Sequence, residues 1–119
     1  MNFREELERI CTRVEGALGA VILAEDGIIV ERHAVDPAID LELASAEFAG
    51  AAREMRRGTM AVEAGELDEI LVSSRARLTL LRLIGPGYYL LLFMAPGALV
   101  GRGRYELRRS AHALANEFA

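Results

Sequence analysis

The sequence lacks several residue types on which whole classes of protein depend. Cys11 is the only cysteine among 119 residues, so the chain can form neither an internal disulfide nor a cysteine-based zinc cluster. A single thiol is typical of a reducing, cytoplasmic location, which we expect here. Lysine is absent, and all 14 cationic side chains are arginines. Two explanations stay open: a GC-rich bacterial genome, or persistent contacts between arginine and a partner's carboxylates.

Long apolar runs are also missing. The longest one, Tyr88–Pro96, is far shorter than the roughly 20 residues that a membrane-spanning helix needs, so we expect no membrane insertion. The charged segment Met1–Glu6 does not resemble a secretory signal. The net charge is −4, which argues against a general nucleic-acid binder. Acids are concentrated in residues 1–70, with 16 acids and 7 arginines, whereas residues 71–119 hold 2 acids and 7 arginines.

What is present is a regular succession of helical and strand patterns within one domain of residues 1–119. The turn Glu25-Asp26-Gly27 joins two apolar runs and is a strong hairpin signal. Asp36 and Pro37 predict the cap and first position of a second helix, which Gly58 is expected to end. The full prediction is a helix over 3–15, strands over 18–24 and 28–34, a helix from Pro37 to Arg57, strands over 67–74, 77–84 and 88–94, and a helix over 99–118.

The polarity of the strands predicts their order in an antiparallel sheet. Strands one and five have the most continuous apolar runs and belong at the centre, whereas strands two and three are the most polar and belong at the edges. The predicted order is therefore 2-1-5-4-3 in an α+β fold, with helix two on one face and helices one and three on the other. In helix two, one stripe is suited to packing on the sheet: Leu41, Ala44, Phe48, Ala51, Ala52 and Met55.

In this order the segments resemble the roadblock family of small dynein-light-chain-like domains. The resemblance rests on Gly19–Leu23 leading into Asp26-Gly27, the alanine-rich second helix, the strands at 67–74 and 88–94, and the helix start Gly101–Arg109. It spans essentially the whole chain and implies a profilin-like fold and a homodimer. In such a dimer the second helices pack together and the third strands pair across the two-fold axis. The family's members regulate or scaffold Ras-like small GTPases, some as GTPase activators, and have no active-site residues of their own.

The resemblance, together with small side chains on helix two, identifies a candidate dimer interface. Ala46 and Gly50 would let another backbone approach closely. The interface residues that we expect are Leu43, Ala46, Glu47, Gly50, Arg53, Glu54, Leu67, Glu69, Ile70 and Val72. A second candidate surface consists of four arginines of the last helix, Arg102, Arg104, Arg108 and Arg109. Cations in the first helical turn oppose the helix dipole. Two interpretations stay open: Arg102 and Arg104 contact acidic residues of a partner or of another subunit, or they lie on a solvated face.

The sequence offers no catalytic constellation, and we expect no enzyme activity, no cofactor and no metal. The run Gly101–Arg104 lacks the lysine that a Walker phosphate loop requires. Ser73 and Ser74 have no nucleophile elbow around them, and His33 and His112 lack metal-ligand spacing. The function expected is therefore that of a non-catalytic homodimer that binds and regulates or scaffolds a Ras-like small GTPase. The alternative is a small-ligand sensor on a similar helix-flanked sheet.

Overall fold

Three helices and one antiparallel sheet make up the part of the chain that the structure, a computed structural model, describes, residues 1–118. The elements are α1 (Phe3–Arg13), β1 (Ala17–Ala24), β2 (Ile29–Ala34), α2 (Leu41–Ala61), β3 (Glu69–Ser73), β4 (Leu78–Gly85), β5 (Tyr88–Met94) and α3 (Val100–Ala115). The strand order is β2-β1-β5-β4-β3. The α+β fold and the strand order predicted from strand polarity are confirmed.

The sheet separates two hydrophobic cores, because alternate side chains of each strand point to opposite faces. On one face α1 and α3 cover Ile22, Leu80 and Leu92. On the other face α2 covers Val21, Leu23 and their neighbours, and it lies over β1 and β2. The predicted placement of the three helices is therefore confirmed, and the central strands are covered on both sides.

Helix α2 begins and ends later than the sequence pattern indicates. Asp36 caps a short turn instead, its Oδ1 accepting the Ala38 N–H at 2.9 Å. The helix starts after Asp40, whose Oδ1 accepts the Leu43 N–H at 3.0 Å. Gly58 lies inside the helix, which ends where Glu63 adopts a positive φ of 61°. The prediction of a start at Pro37 was wrong because the sequence offers two capping aspartates, and Asp40, not Asp36, caps the helix. The prediction of an end before Gly58 was wrong because a helix tolerates an interior glycine at a cost of about 1 kcal/mol relative to alanine.

Helix α3 lies unusually close to the sheet at Gly103. A Cβ at this position would lie 2.8 Å from Met94 Sδ and 3.1 Å from Leu80 Cδ1, both atoms of fully buried side chains. The spacing of Val100, Leu107, Ala111 and Leu114 predicts an apolar stripe that includes Arg104, but Arg104 is exposed and Gly103 is buried instead. Glycine therefore sets the distance between α3 and the strands beneath it.

Candidate functional site

An apolar groove runs between α2 and the edge strand β3. It has a volume of about 330 Å³ and is lined by Phe48, Ala51, Met55, Ile70, Leu71, Val72, Thr79 and Leu81. The groove exists because α2 lies over β1 and β2, so the β3–β4 side of the same sheet face has less cover. Met55 is 53% exposed at its rim. Such a surface costs free energy while it faces water.

The strand β3 borders this groove and leaves one of its own edges free. Among the described residues it pairs only with β4, from Glu69 opposite Arg82 to Ser73 opposite Leu78. Its side chains alternate between the two faces: Ile70 packs towards α2, whereas Leu71, which pairs with Leu80 of β4, is 47% exposed. An open strand edge beside an apolar groove offers both backbone hydrogen bonds and hydrophobic contacts to a second chain.

Two of the ten candidate interface residues, Ile70 and Val72, line this groove, whereas the candidates on α2 lie elsewhere on the helix surface, with Arg53 beside the β1–β2 turn. On α2, Leu43 is 60% exposed, and the positions on its side of the helix are open or half-open: Ala46, Glu47, Gly50, Arg53 and Glu54. Leu67 is buried in its own protomer, and the carboxylate of Glu69 lies on the opposite sheet face, where it pairs with Arg104.

Sequence reasoning assigned three groove residues to the sheet-packing stripe of α2. Phe48 is half-buried and lies 6.3 Å from Phe93 between ring centroids, but Ala51 and Met55 are exposed. The prediction that Ala51 and Met55 pack on the sheet was therefore wrong. The helix is displaced towards β1 and β2, so the buried positions are Leu41, Ser45, Ala49 and Ala52.

An arginine cluster fixes the second half of α2 against the loops at one end of the sheet. Arg56 donates to both carboxylate oxygens of Glu66, at 2.8 and 3.1 Å, and reaches Glu25 at 3.4 Å. The hydrogen bonds from Arg56 hold the pKa of Glu66 below its usual value. Arg53 donates to the backbone oxygen of Glu25. These contacts link the β1–β2 turn and the α2–β3 loop to the second half of α2.

The four candidate arginines of α3 do not act as one group. Arg102 lies 3.6 Å from Glu106 and donates to the Arg13 backbone oxygen, and Arg104 donates to Glu69 at 2.7 Å. Arg108 and Arg109 are exposed and have no ion pair within residues 1–118. The carboxylates of this chain therefore already compensate the two arginines nearest the start of the helix.

A buried ion network joins α1 to α3, and sequence reasoning missed it. Glu106 is fully buried and accepts from Arg9 at 3.3 Å, while Ser110 donates to Glu6 at 2.8 Å. Burial works to raise the pKa of Glu6, but hydrogen bonds from Arg9 and Ser110 outweigh it, so this pKa is lowered. The local signals for this network are the i, i+3 spacing of Glu6 and Arg9 on α1 and the i, i+4 spacing of Arg102 and Glu106 on α3.

Other reactive side chains have surroundings that do not favour chemistry. Burial raises the pKa of the Cys11 thiol to about 12, which keeps it protonated and a poor nucleophile. His112 is exposed and His33 is half-buried. Across residues 1–118, no group of three or more histidine, cysteine or acidic side chains has the arrangement of a metal site. No helix in this part of the chain has the length and apolar character needed to cross a membrane.

Comparisons with known proteins place the fold in a family. Models of protein families and curated protein sequences give no match. Among solved structures, MglC from Myxococcus xanthus is 34% identical, with a TM-score of 0.71 over 98% of this chain and 99% of MglC. A roadblock/LC7 domain from Streptomyces avermitilis has a TM-score of 0.89 and 18% identity over 99% of this chain and 98% of that domain. The chain belongs to the roadblock/LC7 family.

A further roadblock relative has the same architecture. The gliding protein MglB from Thermus thermophilus has a TM-score of 0.85 and 20% identity, over 97% of this chain and 88% of its own. The family resemblance read from the segment pattern is therefore confirmed. Roadblock/LC7 folds are generally non-catalytic regulators.

Proposed function

We propose that two copies of this roadblock chain form a homodimer through α2 and β3, and that the dimer regulates or scaffolds a Ras-like small GTPase in the cytoplasm. The observation that carries the proposal is the apolar groove between α2 and the free edge of β3. A second copy supplies both things that this region lacks, a strand for the edge and apolar side chains for the groove.

The shape of α2 supports a close approach of two helices. A Cβ at Gly50 would meet only the flexible end of Arg53 within 4 Å, so the helix surface there is open. Ala46 is also small, and Leu43 provides an exposed apolar side chain one turn away. Small residues beside a larger apolar one allow two helices to pack at short distance.

The proposed action on the GTPase rests on the generally non-catalytic character of roadblock/LC7 folds. A non-catalytic partner changes the state of a GTPase by binding one nucleotide state more tightly than the other. If the dimer also accelerates hydrolysis, it does so by holding the GTPase's switch loops in their reactive arrangement. The composite surface made by two protomers is the site of this contact in our proposal.

Two methionines of α2 provide a matched test of the dimer. Met55→Glu places a carboxylate in the groove, whereas Met60→Glu makes the same change at a methionine of nearly equal exposure outside it, 53% against 51%. We expect light scattering to give a monomer for Met55→Glu and a dimer for Met60→Glu and the unmodified chain. Equal masses for the two variants would contradict the proposed interface.

The GTPase partner needs its own experiment. We expect the immobilised dimer to retain a small GTPase from its native cell extract more strongly in one locked nucleotide state than in the other. Met55→Glu is expected to lose this binding and Met60→Glu to keep it. Retention by a monomeric Met55→Glu variant, or no difference between nucleotide states, would contradict the proposal.

A small-ligand sensor is the second candidate, and one observation favours it. A surface pocket of about 450 Å³ lies between the α2–β3 loop and the β4–β5 turn, with Arg56 and Glu66 among its lining residues. A ligand that binds there raises the melting temperature in proportion to its concentration and affinity. A thermal-shift screen of nucleotides and metabolites tests this candidate, and stabilisation lost in Arg56→Ala would favour the sensor.

A further inference from the structure

A second pocket lies on the opposite face of the sheet from the apolar groove, between α3 and β4. It has a volume of about 250 Å³, and three of its lining residues are basic: Arg82, Arg108 and His112. Aliphatic groups from β4 and α3, including Ile84 and Ala111, form the rest of the wall. Two guanidinium groups and one imidazole around this small cavity give it a polar character, with positive charge from the arginines, that the groove beside α2 does not have.

The carboxylate supplied by this chain does not neutralise the pocket. Glu69 accepts from Arg104 at 2.7 Å and from Arg82 at 3.4 Å, so one carboxylate serves two guanidinium groups. Arg108 forms no ion pair with any residue in the described range 1–118. The pocket and its rim therefore carry an excess of positive charge, in a chain whose net charge is −4.

The basic side chains are arranged in a line. Arg104, Arg108 and His112 follow one another at four-residue intervals on α3, which places successive side chains about 6 Å apart along the helix. Glutamates at every second position of an extended peptide have a similar spacing of about 7 Å. The line is thus longer than a single phosphate group and matches several carboxylates in succession.

We propose that this pocket, centred on Arg108, Arg82 and His112, binds an acidic segment of a protein partner. The paired contacts of Glu69 with Arg82 and Arg104 are an example, within the chain, of the ligand chemistry that these arginines accept. Guanidinium groups bind carboxylates through two parallel hydrogen bonds, which gives directional recognition as well as charge attraction. The surface lies on the α1–α3 face, so a dimer formed through α2 and β3 leaves it accessible in each protomer.

Arg109 is the matched control for Arg108. It follows Arg108 on the same helix and is also exposed, but its charge acts on Glu6 of α1, on the other side of α3 from the pocket. Arg108→Glu and Arg109→Glu therefore change the net charge equally while only the first changes the pocket. The sequence analysis assigned Arg108 and Arg109 to one surface, but in the structure they lie on different sides of α3.

The test measures binding of a fluorescent peptide with glutamates at alternate positions, by anisotropy at low salt. We expect Arg108→Glu to weaken binding by roughly tenfold and Arg109→Glu by no more than about twofold, because reversing a paired charge removes one attraction and adds a repulsion. Equal losses in the two variants, or no saturable binding to the unmodified protein, would overturn the proposal.

Two further measurements localise the site. The His112 ring protons are expected to shift in NMR spectra as the peptide is added, while those of His33 stay in place. Inorganic phosphate is expected to compete weakly; displacement of the peptide by phosphate at equal concentration would overturn the assignment to carboxylates. Light scattering on both variants is expected to give unchanged masses, so failure of this proposal is distinguishable from failure of the dimer.

Discussion

Replacing Gly103 with alanine tests the packing of α3 on the sheet. Two effects oppose each other. Alanine improves helix propensity by up to about 1 kcal/mol, whereas inserting a methyl group into a filled core costs roughly 1–3 kcal/mol. The new Cβ would lie 2.8 Å from Met94 Sδ and 3.1 Å from Leu80 Cδ1, and both side chains are enclosed. The net change expected is a loss of about 0–2 kcal/mol in the free energy of unfolding.

Gly101 in the same helix provides the control, since a Cβ there meets nothing within 4 Å. Because both substitutions share the propensity gain, the difference between the two variants isolates the packing cost, about 1–3 kcal/mol. This corresponds to roughly 4 °C in melting temperature per kcal/mol for a chain of this length. The assay is urea denaturation followed by circular dichroism at one protomer concentration. Equal stabilisation of Gly103→Ala and Gly101→Ala would refute the reasoning.

Two other predictions concern buried groups on the same side of the sheet. Glu106→Ala removes the carboxylate that Arg9 contacts at 3.3 Å, and we expect a loss of about 3 kcal/mol in urea denaturation; a loss below about 1 kcal/mol would contradict the network's role. Cys11 should react slowly with a thiol reagent at pH 8 in the native protein and quickly in urea, because its native pKa is raised to about 12. The unfolded thiol loses its proton near pH 9.0, before the native thiol does, so the contribution of Cys11 to the free energy of unfolding is complete below pH 9.0 and declines towards pH 12. Cys11→Ala should therefore reduce the loss of stability between these two pH values.

The strand order could be predicted because a strand covered on both faces is apolar along its whole length, whereas an edge strand carries more polar residues. β5 is apolar or aromatic at every position and lies at the centre of the sheet. β2 contains Glu31 and Arg32, alternates between half-buried and exposed positions, and lies at an edge. The hairpin turn was equally local: Gly27 has a φ of 93°, which glycine tolerates and other residues resist. The strand order and this turn were predicted correctly for this reason, whereas the local cap signal of Asp36 and Pro37 misplaced the start of α2.

Predictions that depend on distant neighbours were less accurate. The apolar stripe of α2 is wide, and periodicity alone does not reveal which of its edges meets the sheet, so Met55 was assigned to the sheet although it lines the groove. Glu106 is a charged residue in a helix, and its burial depends on Arg9, which lies 97 positions away in the chain. Gly103 resembles a helix-start glycine until the side chains of the sheet are placed beneath it.

The two faces of the sheet thus offer different chemistry in one roadblock domain. The α2 face has an apolar groove beside an open strand edge, which is suited to a second copy of the chain. The α3 face has a basic pocket around Arg108, which is suited to carboxylates of a different partner. A regulator that binds several proteins at once benefits from this separation, because occupation of one face leaves the other accessible.

Amide hydrogen exchange resolved by residue tests the central claim, that a second copy covers the edge of β3. The other edge strand, β2, is an internal control, because both strands have one neighbour in the sheet. At high protomer concentration we predict that the amides of Glu69–Ser73 become protected, that dilution removes this protection, and that the amides of Ile29–Ala34 exchange equally at both concentrations. Exchange of the β3 amides that is equally fast at every concentration would contradict the account.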